Sequence, residues 1–131
     1  MNWIAIALGG VVGGFFRYVL ETIVPTPMSL PLGTFVINIL GSFLLGFIYH
    51  IADEKEWKPW MRLGLGTGMM GAFTTFSTFT LEMSELVHRH WIFAALYGLV
   101  SLVAGVFCVV LGEWSAGLIL RHEVQTEEVY L

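Results

Sequence analysis

Charged residues interrupt this chain at only a few places. No Asp, Glu, Lys or Arg occurs from Asn2 to Phe16, from Thr22 to Ala52, from Leu63 to Leu81 or from His90 to Gly112. Each window can supply the roughly 20 apolar residues that cross a hydrocarbon core about 30 Å thick. The pattern predicts an all-α membrane protein with four transmembrane helices at about 2–24, 32–51, 62–88 and 91–120. Together they make one membrane domain over residues 1–131, with a polar tail at 121–131 that is expected to lack fixed structure. Pro25, Pro27 and Pro31 mark a connector after the first helix, since proline removes a donor and cannot continue one. "DEKEWKPWMR" at 53–62 reads as a charged loop and "HRH" at 88–90 as a tight turn. The first run lacks the basic segment and cleavage site of a signal peptide, and three further runs follow it.

Composition sharpens this picture. Of 131 residues 56% are hydrophobic and only 12% charged, where a soluble domain carries about a quarter. All five tryptophans (Trp3, Trp57, Trp60, Trp91 and Trp114) fall at predicted helix ends, as in the aromatic belts of membrane interfaces. Lone Cys108 excludes a disulfide framework or thiolate cluster. The net charge of −4 comes largely from Glu123, Glu127 and Glu128, and nothing points to nucleic acid. Lys55, Lys58, Arg62 and Arg121 lie on the side of the termini and Arg17 and Arg89 on the other, a four-to-two bias towards cytoplasmic termini. A bias this small is also compatible with insertion in both orientations.

Glycine is patterned. Gly9/Gly13 and Gly10/Gly14 form two overlapping GxxxG pairs in the first helix, and Gly64/Gly68 another in the third. Small residues of this kind let helices approach closely in lipid. Gly64, Gly66, Gly68 and Gly71 fall within eight residues, and each interior glycine costs a helix about 1 kcal/mol relative to alanine. The cluster suggests either a break near mid-membrane or a close-packing face. Irregular backbone at that depth survives only when buried in protein or lining a cavity.

"GAFTTFSTFTLE" follows at 71–82. Phe76 and Phe79 share a helix face, and Thr75, Thr78 and Glu82 form a polar stripe beside them. Asn38 and Ser42 are one turn apart on the second helix, as are Tyr97 and Ser101 on the fourth. Arg17 either snorkels to the interface or pairs with Glu82 or with helix-end carbonyls; the sequence leaves both readings open. No histidine lies mid-span and no base is placed to activate a hydroxyl, so the chain is not read as an enzyme. Hydroxyl and amide donors with phenyl edges suit conduction of a small anion, because a ring carries positive charge at its edge and binds weakly enough to release the ion.

These residues resemble a known family. "GAFTTFSTFTLE", "GTFVINILGSFLLG" at 33–46 and "GGVVGGFFRY" at 9–18 are similar to the three motifs of the Fluc/CrcB fluoride channels. The resemblance implies passive fluoride export across the plasma membrane by an antiparallel, dual-topology dimer in the lipid bilayer, formed from two copies of this chain or from two divergent subunits. It implies a structural Na+ on the dimer axis, held by the backbone carbonyls of Gly71 and Thr74. It places Phe76 and Phe79 as a pair lining the pore, with Asn38, Thr75, Ser77, Thr78, Glu82, Tyr97 and Ser101 along the fluoride path. Gly105 stands where some members carry a further hydroxyl. The alternative is a proton-coupled small multidrug-type transporter, also a four-helix dimer. That group carries a membrane-embedded glutamate in its first helix, where this chain has Arg17 and only Glu21 near the end. A non-transporting assembly subunit would explain the GxxxG packing but leaves the polar stripe unused.

Overall fold

The computed structural model describes residues 1–24 and 31–129, with side chains to residue 123. Pro25 and Pro27 lie outside the described residues. Helix α1 spans Asn2–Ile23 and α2 spans Leu32–Glu54; then come a short α3 over Pro59–Arg62, a π-helical segment over Leu63–Met70, a single turn α4 over Gly71–Phe73, and α5 over Phe76–Val129. No strand occurs among the described residues. Among the described residues, three helical stretches are long and apolar enough to cross a membrane: Asn2–Ile23, Leu32–Glu54 and the 65-residue stretch Pro59–Glu123.

The expected third and fourth helices are one bent segment here. The backbone leaves helical values at His90 (φ −152°, ψ 86°) and resumes at once. The bend reverses the chain: the rings of Phe79 and Tyr97, 18 positions apart, are stacked with centroids at 5.5 Å, whereas a straight helix would separate them by about 27 Å at 1.5 Å per residue. The expected turn at 88–90 is thus reduced to one residue. The expected tail differs too, since helical backbone continues past Arg121 to Val129.

The charged loop is also shorter than its sequence implies. Helix α2 runs on to Glu54, and α3 starts at Pro59, where proline's missing donor costs nothing. Between them Trp57 N–H donates to the Ala52 carbonyl at 2.9 Å and Glu56 N–H to the Asp53 carbonyl at 3.3 Å. This is a Schellman closure, which needs a left-handed residue after the helix. Glu56 supplies it with φ 47°. Asp53 pairs with Arg62 at 2.6 Å and Lys55 with Glu123 at 2.8 Å, tying the loop to its neighbours.

Glycines set how the helices meet. Helix α1 packs chiefly on the π segment, and α2 on α5. A Cβ on Gly9 would overlap the Gly64 carbonyl oxygen, and one on Gly13 the Met69 carbonyl. A Cβ on Gly14 would meet nothing within 4 Å, so only one of the two overlapping pairs serves this contact. From the other side, Gly64 and Gly68 lie against Ala5 and Ile6. Beneath this contact Ile37, Met70 and Phe73 form the buried core, with Leu20, Leu44, Leu45, Ile48 and Met69 packed around it.

Candidate functional site

The helix break lies after the glycine cluster, not within it. Gly64 to Met70 keep a helical, wider-wound path, and Gly71 begins a regular turn. Only at Thr74 does the backbone become extended (φ −76°, ψ 158°). The reason is a side chain from another helix. Asn38 on α2 accepts a hydrogen bond from Thr75 N–H at 2.9 Å and donates one to the Thr75 carbonyl at 3.0 Å. Both backbone polar groups of the residue after the extended Thr74 are thereby satisfied by a single amide, which low-dielectric surroundings require.

The second half-helix then starts with its own cap. Thr75, 4% exposed, accepts from Thr78 N–H through its hydroxyl at 3.2 Å, the hydroxyl-to-third-amide bond of an N-cap. The same hydroxyl donates to Thr78 Oγ1 at 2.9 Å and lies 3.4 Å from Ser77 Oγ. A continuous helix would direct Thr75 N–H to the Gly71 carbonyl and Thr78 N–H to the Thr74 carbonyl. Both amides are engaged elsewhere. Two carbonyls therefore lose their helical donors at one level of the fold, and a Cβ on Gly71 would meet nothing within 4 Å.

Along α5 the aromatic and polar rows run side by side. Phe76 and Phe79 are stacked at 6.2 Å, and Phe79 continues onto Tyr97 at 5.5 Å. Phe76 is 80% exposed and borders a cavity of about 370 Å³ shared with Asn38, Ser42, Gly71, Thr74 and Thr75. One helical turn beyond Thr78, Glu82 accepts a hydrogen bond from the Thr34 hydroxyl at 2.9 Å. Its second oxygen is buried without a partner among the described residues, as is the Ser101 hydroxyl. Tyr97 donates to the Pro31 carbonyl at 3.2 Å, tying the upper part of the row to the start of α2.

The structure thus brings Asn38, Thr75, Ser77, Thr78, Phe76, Phe79 and Tyr97 together, and links Glu82 to α2. Arg17 stands apart from them. Its nearest acid is Glu21, one turn on in α1, at 3.8 Å with both side chains more than a third exposed, and it makes no bridge to Glu82. Thr34 went unnoticed in the sequence. Its signal was the spacing Thr34, Asn38, Ser42, a polar residue at every fourth position of α2 that mirrors the stripe on α5.

Residues 4–113 match the profile of a family described as "CrcB-like protein, Camphor Resistance (CrcB)". Among curated relatives, a "Fluoride-specific ion channel FluC" of Ignicoccus hospitalis is 39% identical over 117 residues, covering 88% of this chain and 95% of the relative. A protein of the same name from Methanocaldococcus jannaschii is 40% identical over 105 residues, covering 80% of this chain and 85% of that one. Another, from Shewanella sp. strain ANA-3, is 38% identical over 115 residues, covering 86% and 93%.

Proposed function

This chain belongs to the CrcB-like family, and we propose from that premise that it is a fluoride-specific channel through which the ion leaves the cell passively. It is a multi-pass membrane protein whose work is conduction rather than catalysis. The observation that carries the reading is the paired row on α5: stacked rings of Phe76, Phe79 and Tyr97 beside the hydroxyls of Thr75, Ser77 and Thr78 and the carboxylate of Glu82. Ring edges attract an anion weakly and hydroxyl donors replace its water, so the ion enters and still leaves. Protonated fluoride enters by diffusion and dissociates inside. A negative interior then drives the anion out, with about 2.3 kcal/mol per 100 mV for each charge.

The reversal at His90 supports four crossings, two of them being the arms of the bent segment. A pore beside Phe76 needs a second wall, because in a single subunit that ring is 80% exposed. A second copy in the opposite orientation supplies it, and the four-to-two charge bias permits such insertion; a divergent partner subunit is the other arrangement. The donor set fits a structural Na+: the carbonyls of Gly71 and Thr74, deprived of helical donors, are the neutral oxygens a monovalent cation takes within a membrane. These two residues would hold it, and the ion would supply fixed positive charge at the break. A multidrug-type transporter finds no support in α1, where the only acid, Glu21, sits beside Arg17 near the helix end.

The test is ion efflux from liposomes containing only this purified chain, followed with fluoride and chloride electrodes. Fast fluoride release without chloride release is expected. Equal release of both ions, or of neither, would overturn the reading for the chain acting alone.

A further inference from the structure

The glycines that α5 presents to α2 are not equivalent. A Cβ on Gly112 would overlap the Phe43 carbonyl oxygen, and one on Gly117 would press on His50 Nε2 at 3.2 Å. On the α2 side, a Cβ on Gly46 would overlap the Val109 carbonyl. At Gly46 and Gly112 backbone contact demands glycine, and at Gly117 a ring would have to give way. Gly105 is different: a Cβ there would meet only Ser42 Oγ, at 3.7 Å, an ordinary contact. Packing does not require a glycine at 105, so its missing side chain leaves room beside the Ser42 hydroxyl.

That hydroxyl is uncommitted. Thr22, Thr80 and Ser115 donate to carbonyls of their own helices, the usual resting place of a hydroxyl in an apolar helix. Ser42 makes no such bond among the described residues and faces the cavity of about 370 Å³ with Asn38, Thr75 and Phe76. Across the gap, one turn from Gly105, the Ser101 hydroxyl is buried and unpartnered. The two helices run parallel, with Ser42 beside Gly105 and Gly46 beside Val109, which sets Asn38 level with Ser101. The Ser42 hydroxyl and the Asn38 amide thus border one cavity, with Ser101 on the facing helix. A hydroxyl left unpaired within a membrane is costly, and an anion relieves it.

We propose that Ser42 is a further residue of the fluoride path, solvating the ion through its hydroxyl in the space that Gly105 keeps open. This rests on the channel reading above. It also predicts that either wall of the gap can carry the hydroxyl, because a serine at 105 would occupy the same space from the other side.

The test is fluoride efflux from liposomes holding the full chain, with elution of the detergent-solubilised protein checked for each variant. Ser42→Ala should slow fluoride release about tenfold, the loss expected for one hydrogen bond to a charged group. Adding Gly105→Ser to Ser42→Ala should bring the rate back to within about threefold of the unmodified chain, on the same hydrogen-bond scale. Adding Gly105→Ala instead should bring no recovery, since it fills space without a donor. Unchanged flux in Ser42→Ala, or equal recovery with alanine and serine, overturns the role of the hydroxyl while leaving the channel reading intact. No recovery with serine in a variant that elutes normally overturns it as well. An unmodified chain that releases no fluoride removes the channel reading and this proposal together.

Discussion

Asn38 holds Thr75 by both of its backbone polar groups, accepting from the amide at 2.9 Å and donating to the carbonyl at 3.0 Å. One side chain on α2 therefore fixes the residue that joins two half-helices, and every other feature of the site is measured from that point.

Replacing Asn38 with alanine leaves a donor and an acceptor buried without partners, at a cost of about 1–3 kcal/mol each. A large fall in the thermal unfolding midpoint in detergent is expected. Asn38→Asp keeps the acceptor for Thr75 N–H and should fall less. A midpoint unchanged in Asn38→Ala would mean that the pair does not hold the break.

Phe76→Ile and Phe79→Ile are each expected to abolish most fluoride flux in the liposome assay. Their stabilities should differ. Phe76 is 80% exposed in the subunit, whereas Phe79 also loses its stack on Tyr97 at 5.5 Å, worth about 0.5–1.5 kcal/mol. Full flux in both variants would remove the ring pair from the mechanism.

Exchange of Na+ for N-methyl-D-glucamine should lower the unfolding midpoint, and returning Na+ should restore it, because binding to the folded state alone stabilises it. Indifference to the exchange would argue against a cation at the Gly71 and Thr74 carbonyls.

The two glycine pairs of α1 should behave oppositely. Gly13→Leu drives a side chain into the Met69 backbone and should cost at least about 1–3 kcal/mol, seen as loss of the folded elution peak. Gly14→Ala meets nothing within 4 Å and should be neutral or stabilising by up to about 1 kcal/mol. Similar behaviour of the two would contradict the packing of α1 on the π segment.

Glu56→Gly should stabilise the chain by about 1 kcal/mol, since Glu56 occupies a left-handed conformation (φ 47°) that disfavours side chains bearing a Cβ. A rise in the unfolding midpoint without a change in flux is the expected result.

The sequence by itself determined which parts of this chain belong in a membrane, and which residues carry the polar chemistry. Charge-free windows, tryptophans at their ends and the spacing of Thr75, Thr78 and Glu82 are local properties, readable because helix periodicity and the length of an apolar run need no knowledge of neighbours. The boundaries were legible to within a few residues at α1 and less so at α2, whose end is set by a left-handed Glu56 where a glycine would have announced it. Tertiary structure decided the rest. Four glycines left a break and a close-packing face both open; they remain helical, and Gly64, Gly66 and Gly68 serve close approach to Ala5, Tyr49 and Ile6. The break falls at Thr74 and Thr75, because Asn38, 37 positions away, captures the amide that the helix needs to continue. Thr34 acquires its role in the same way, through Glu82, 48 positions on. A helical hydrogen bond joins residues four apart and is written in the local sequence. The bonds that end this helix come from another helix, and only folding brings those partners together.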